Sequence, residues 1–283
     1  MLSLIFAQIM LTTFIQRTFI CLLIVLFSAG LKAQTITIPA EKKSRHTFYV
    51  SWGYNTEWYT NSTVHVKQES LGNDYQLNNV RGHDHKGWDE TSLFKQALTI
   101  PQYNYRIGYM DEQRGMGIEI NFDHTKYIIE QDQDINITGQ IGDRTMDTTI
   151  RYSNSNGFYY FLNNGANFFL INFVKRWHLY HDKQDRIRID GLGKIGVGPV
   201  VPHVENSFFG KNNKPGFQIG GWNTGIEGDL KATFYKYVYL EYGAKFDYAR
   251  YSNLAVYEGK ARQSFGTFEM ILSLGVNIPG RKK

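Results

Sequence analysis

A single cysteine, Cys21, occurs in 283 residues, so no disulfide can staple the chain to itself. Prolines number only six, too few for a proline-rich linker. After Gly30 no apolar run reaches the ~20 residues that a membrane-crossing helix needs, which excludes a helical membrane domain there. Lys and Arg are scattered: the formal charge is +5, and no basic block of the kind that tracks a nucleic-acid backbone is present. There is no phosphate-cradling glycine loop and no internal repeat. What the chain has in quantity is aromatics, 19 Tyr and 19 Phe, together with 27 Gly, a balance that favours strands and close backbone approach over helices.

The N-terminus reads as a targeting segment. Arg17 precedes the apolar run Thr18 to Gly30, and Ala33 marks a cleavage point, giving a signal peptide over residues 1–33; an uncleaved anchor is the alternative. Cys21 lies inside the apolar run and not at the cleavage site, which argues against a lipoprotein. Cleavage removes Arg17 and Lys32 and no acid, so the formal charge falls by two, from +5 to +3. Residues 34–46 then form a short periplasmic segment, 47–278 the body, and 279–283 a tail.

Eight segments of roughly ten residues alternate apolar and polar positions, the period of a strand with two different faces. Thr47 to Trp58 sets Phe48, Val50, Trp52 and Tyr54 on one face. Tyr103 to Tyr109 puts Tyr103, Tyr105, Ile107 and Tyr109 opposite Asn104 and Arg106. Gly115 to Tyr127 puts Met116, Ile118, Ile120 and Phe122 opposite Glu119, Asn121 and Asp123. Asn167 to Trp177, Arg186 to Gly198, Ile219 to Phe234, Tyr237 to Tyr251 and Phe265 to Ile278 complete the set. Connections alternate in length. Short ones follow the second, fourth and sixth segments; long ones cover about Tyr59 to Thr99, Ile128 to Ala166, Pro199 to Gln218 and Ser252 to Ser264. A closed meander therefore carries every long loop at one end.

The predicted fold is all-β: an eight-stranded antiparallel up-and-down transmembrane barrel with long extracellular loops and short periplasmic turns. Its narrow lumen would hold a structural polar network of Glu57, Arg106, Glu119, Asp123, Arg188, Asp190, Lys194, Glu227, Asp229, Lys231, Glu241, Lys245, Asp247 and Glu269, since eight strands leave room only for side chains. Arg106 would reach Glu119 or Glu57. Aromatic girdles are expected at Trp177, Tyr180, Tyr235 and Tyr237 near the turns, and at Trp58, Tyr59, Tyr127 and Tyr251 near the loops. A soluble lipocalin-like barrel with the faces reversed is the competing architecture.

With these residues placed, the chain resembles the small eight-stranded outer-membrane barrels, the OmpX type and the outer-membrane β-barrel proteins of Bacteroidetes. The resemblance covers Thr47 to Ile278 and rests on the strand pattern, the Leu274 to Asn277 motif and the leader. The terminal aromatic of many such barrels is absent. The resemblance implies an outer-membrane location and a fold that hosts adhesins, stabilisers, enzymes and small pores. Among lipid A deacylases of similar fold a His-x-Ser pair does the chemistry; here His124 is followed by Thr125 and Lys126, so the serine is missing. His83, Asp84 and His85 have metal-ligating side chains at short spacing, but a hydrated loop tip is the simpler reading. Trp88 and Phe94 would pack the same loop.

No catalytic residue, metal or cofactor is therefore assigned. The expected partners are outer-membrane lipid and lipopolysaccharide, with an extracellular protein or surface ligand taken by the loops, and no nucleic acid. The leading function is non-enzymatic: adhesion, partner binding or envelope integrity. A lipid A or phospholipid modifying enzyme and a narrow pore are the alternatives.

Overall fold

The computed structural model describes residues 46–85, 102–162 and 164–280. The leader, Trp88 and Phe94 lie outside the described residues. Eight strands, β1 (His46–Tyr59), β2 (Tyr103–Asp111), β3 (Met116–His124), β4 (Phe168–His181), β5 (Ile187–Val200), β6 (Gly221–Phe234), β7 (Val238–Val256) and β8 (Gly259–Pro279), pair antiparallel in chain order. β1 also pairs with β8, so the ring closes and none of its long strands is left as an open edge.

The register fixes the stagger. From Phe48 the partners run Tyr109, Ile118, Phe173, Ile195, Ile226, Phe246 and Phe268, then return to β1 at Trp58. That is ten residues beyond the start, and a stagger of this size over eight strands tilts them by about 40°. Every residue on this circuit is apolar or aromatic. Period-two alternation is the cause: on β2 Ile107 is 61% exposed while Arg106 beside it is 1% exposed. The outside of the ring is an apolar belt and its inside is polar.

Short turns join the strands at one end. At Asp111–Gly115 the Asp111 carboxylate accepts from the backbone N–H groups of Gln113 and Arg114, at 2.9 and 3.1 Å. In the β4–β5 turn, hydrogen bonding to the Arg186 guanidinium holds the Asp182 carboxyl below the usual carboxylate range, and Lys236 does the same for Asp185.

The other end departs from the expectation of loops. Ten further strands lie in the long connections, so the described chain holds 18 strands and not eight. The stretch Ser252 to Ser264 is no loop: β7 and β8 run on through it and turn at Tyr257–Glu258. Polar Ser252 and Asn253 end the lipid-type alternation, but a bulge absorbs them and pairing resumes at Leu254. Beyond the ring, β8 pairs with Ser62–Gln68, then follow Asn73–Val80, Gln133–Ile141 and Arg144–Tyr152. The last of these is an edge. A second sheet runs through Lys211–Asn212, His203–Phe208, Tyr159–Leu162, Tyr127–Ile129 and Gly82–His83.

These strands alternate as well, but their apolar face points inward. Val64, Val66, Tyr75, Leu77, Ile135 and Ile137 of the first sheet share one buried core with Tyr127, Ile129, Tyr160, Leu162, Val204 and Phe208 of the second. Tyr251, Leu254 and Phe265 from the tops of β7 and β8 complete it. The connections thus form a folded cap with a hydrophobic core of its own. Tyr127 and Tyr251, expected in a girdle, lie in that core instead, because they continue the inward parity of their strands above the lumen. Trp58, Trp222 and Tyr248 are the exposed aromatics at that height.

Candidate functional site

Inward parity on all eight strands aims polar side chains at a common axis. Of the fourteen residues expected there, thirteen are buried; Arg188 is the exception, with a side chain 27% exposed at the turn end. They gather at three heights.

The middle cluster joins seven strands, and its ions come from five of them. Arg106 on β2 donates to Glu227 on β6 at 2.5 Å and to Glu119 on β3 at 3.3 Å. Lys194 on β5 stands 2.8 Å from Glu241, 3.2 Å from Glu227 and Asp229, and 3.3 Å from Glu119. Tyr49 and Asn172 also donate to Glu119, at 3.0 and 3.2 Å. Glu227, Asp229 and Glu241 have the composition and spacing of a metal site, yet the position among them is taken by the Lys194 ammonium. Desolvated ions survive only when they are paired and hydrogen-bonded, and here each base serves several acids.

Nearer the cap, Lys245 pairs with Asp123, with Glu269 at 3.0 Å and with Asp247 at 3.2 Å. Asn55 donates to Glu269 at 2.7 Å. Glu57 accepts from the Tyr59 hydroxyl and is not an Arg106 partner; the extra partner of Arg106 is Glu227, across the lumen. Nearer the turns, Lys231 lies over the rings of Tyr239 and Tyr49, 3.5 and 4.6 Å from their centroids, and donates to Asn277 at 3.2 Å. Both rings fit because each lies across a glycine, Gly275 and Gly108, where a Cβ would collide with the ring. Arg176 donates to Glu112 at 2.8 Å, and Arg188 to Asp190 at 2.8 Å.

The sequence reading missed Glu112, Tyr49 and Tyr239 as members of this network. Parity already carried the signal for Tyr49, which stands between the outward Phe48 and Val50.

Above these clusters the cap covers the lumen. Tyr127 stacks on Phe265 at 4.6 Å, and Gln263 donates to the Tyr127 hydroxyl and to Ser62, both at 2.9 Å. Burial pushes the Tyr127 phenol up to about 12. The Tyr251 hydroxyl donates to the backbone carbonyl of Ala166 at 3.0 Å, and the Tyr59 hydroxyl oxygen stands 2.8 Å from the carbonyl of Lys126. The lumen is filled by its own ions and roofed by aromatic side chains.

The other chemical candidates are committed to structure. His124 bonds Asn167 at 2.9 Å and stacks on Tyr103 at 4.6 Å; among the described residues no serine or cysteine side chain pairs with it. The Asp84 carboxylate accepts from the Thr56 hydroxyl at 3.1 Å and the Glu57 amide at 3.0 Å, which pins the first connection to the rim of β1. His83 Nδ1 faces the Asp84 carbonyl at 2.7 Å.

No protein-family model and no curated protein sequence matches the chain. Among solved structures it is similar to the attachment invasion locus protein Ail of Yersinia pestis, in complex with the heparin analogue sucrose octasulfate, at 15% identity and TM-score 0.31 over 83% of this chain and 99% of that one. It is similar to the outer membrane protein OprG of Pseudomonas aeruginosa at 8% identity and TM-score 0.39, over 84% of this chain and 98% of that one. The neisserial surface protein NspA is similar at 9% identity and TM-score 0.30, over 85% and 100%.

Proposed function

We propose that this chain is an outer-membrane β-barrel of the small eight-stranded type, with no enzymatic or conducting role, that acts through its extracellular cap in adhesion, partner binding or envelope integrity. The observation that carries this reading is the division of labour in the structure. The ring presents an apolar belt outside and an ion-filled lumen inside, while the four long connections invest their apolar residues in one shared core. Exposed apolar residues such as Ile107, Ile118, Ile195 and Leu274 would be an aggregation hazard in water and suit lipid. Signal-peptide cleavage at residue 33 and a Bacteroidetes-type origin belong to the same proposal.

Fractionation with the outer membrane and a heat-modifiable gel band support the reading; a soluble chain whose migration ignores heating would overturn it. Planar-bilayer recordings are expected to stay silent through repeated insertions, and the lipid A profile is expected to be the same with and without the gene. A single residue tests the orientation of the faces. Ile107→Arg costs about 2–4 kcal/mol of folding into lipid if the side chain meets the bilayer midplane, measured by urea titration of the tryptophan fluorescence. A neutral result would mean that the faces are reversed.

A further inference from the structure

Closure protects the ring, but the cap keeps a long open edge. Among the described residues the second cap sheet ends in strands of two residues, Gly82–His83 and Lys211–Asn212, too short to template a partner. The first ends at Arg144–Tyr152, nine residues paired on one side only, to Gln133–Ile141. Proline, a bulge or a very short strand blunts most such edges. This strand has no proline, and its register runs to the end without a shift. Thr145, Thr148, Thr149 and Ile150 are β-branched, which suits them to further pairing.

The hairpin turn decides which groups face outward. Ile141 and Arg144 lie opposite one another across Gly142 and Asp143, which makes them a hydrogen-bonded pair. Arg144, Met146, Thr148, Ile150 and Tyr152 therefore aim N–H and C=O at Gln133–Ile141, and the Tyr152 carbonyl also accepts from the Asp132 N–H at 2.9 Å. Thr145, Asp147, Thr149 and Arg151 aim theirs at the open side, where the Arg151 carbonyl meets the Asn156 side-chain amide at 3.0 Å. An antiparallel copy of the same strand must match these four positions among themselves. Centring the two-fold axis at Thr149 sets Thr149 opposite its own image and Asp147 opposite Arg151 twice, both favourable cross-strand neighbours. Centring it at Thr148 leaves both charges facing threonines, and centring it at Asp147 sets that carboxylate against itself. Within the chain Arg151 donates to Asp134 at 3.1 Å and Asp147 accepts from Asn136 at 3.0 Å; guanidinium and carboxylate both have capacity for more. On the inner face the Thr149 register sets Met146 opposite Tyr152 and Thr148 opposite Ile150. Met146 and Ile150 are half-buried at the margin of the cap core, so the pairing extends that core across the axis.

We propose that this edge is an interface between two copies of the chain, in which the Arg144–Tyr152 strands pair antiparallel about a two-fold axis at Thr149. The inference rests on the reading of the cap as the acting part of the protein, and it names the partner. Self-complementarity selects a second copy over an unrelated strand: the Asp147 and Arg151 charges match when the strand meets itself, and a two-fold interface makes every such contact twice. Asp147, Thr149 and Arg151 of each copy supply about six backbone hydrogen bonds, and the two cap sheets become one.

The test uses the full chain in detergent micelles, carrying Cys21→Ser so that no other thiol is present. The Cα atoms of a hydrogen-bonded antiparallel pair stand about 5.5 Å apart, within disulfide reach, so oxidised Thr149→Cys gives a reducible dimer band. Thr145 falls opposite residue 153 of the second copy, so two Thr145→Cys thiols are about 27 Å apart along the ladder and give none. Sedimentation shows a concentration-dependent dimer. Asp147→Arg or Arg151→Asp raises its Kd at least about tenfold, because each change sets like charges together twice per dimer. The combined swap Asp147→Arg/Arg151→Asp restores most of the affinity. A wild type that sediments as a monomer at every concentration overturns the interface. So does crosslinking at Thr145 equal to that at Thr149, or a combined swap that restores nothing. Heat-modifiability is scored separately: folded but monomeric single variants support the interface, and a heat-modifiable wild type that stays monomeric loses the interface and keeps the barrel. A wild type that is not heat-modifiable removes the barrel reading, while the Thr149 crosslink still reports on the edge.

Discussion

Lys194→Met destabilises the barrel by about 3–5 kcal/mol, the usual result of removing one partner from a buried ionic cluster. Methionine keeps the length and volume of the stem, so packing changes little. What changes is charge: Glu119, Glu227, Asp229 and Glu241, all within 3.3 Å of the ammonium, are left around Arg106 alone. Urea unfolding in lipid measures the loss. Lys194→Met/Glu241→Gln recovers part of it, since the second change removes one of the stranded carboxylates, and the double-mutant cycle isolates that coupling. A loss below about 1 kcal/mol would mean that the cluster is hydrated and weakly coupled, contrary to the burial described here.

Phe265→Ala is expected to loosen the cap and spare the barrel. The ring is 2% exposed and packs against Tyr127, Tyr59 and Tyr251, with centroids 4.6, 5.3 and 5.4 Å away. Truncating a buried phenylalanine costs about 3–5 kcal/mol, part of it for the cavity left behind. That loss falls on the cap core, which the lipid-facing belt does not share. Limited proteolysis should therefore cut the connections between β1 and β2 and between β3 and β4 faster than in the wild type, while the heat-modifiable band persists. Loss of heat-modifiability together with the cap would show that the two parts fold as one unit and would refute their separation.

The staves were legible in the sequence because lipid, bilayer and lumen impose a strict period of two. Phe169, Ile171 and Phe173 point outward and Asn172 and Arg176 inward, as the alternation in the fourth segment requires even though it is apolar on both faces. Of the cap, alternation in the second long connection reads as a hairpin, and Gln133–Ile141 does pair with Arg144–Tyr152; the rest was not legible, for a related reason. Val64 and Val66 alternate with His65 and Lys67 as a membrane strand would, and periodicity cannot say whether an apolar face meets lipid or another sheet. The polar network was legible as a set but not as pairs. Arg106 and Glu227 are 121 positions apart, and only the stagger of the ring brings them together. The ends of β7 and β8 were missed because Ser252 and Asn253 look like the start of a loop, whereas Asn253 takes a left-handed φ of 56° inside a bulge that re-establishes pairing.

The seam between β1 and β8 has a further consequence, for the order of assembly. Its partners, from Thr47 with Pro279 to Tyr59 with Thr267, are separated by almost the whole described chain. Ser62–Gln68, the strand that founds the first cap sheet, also pairs with β8. Until the final hairpin arrives, both β1 and that strand carry bare ladder edges and neither can finish its sheet. Closure of the ring and completion of the cap thus wait on the same late element. The contacts involved are of the long-range kind that make β topologies slow to fold. The edges of the earlier strands stay open until β8 is delivered, and the folded protein is a structure that locks at its last step.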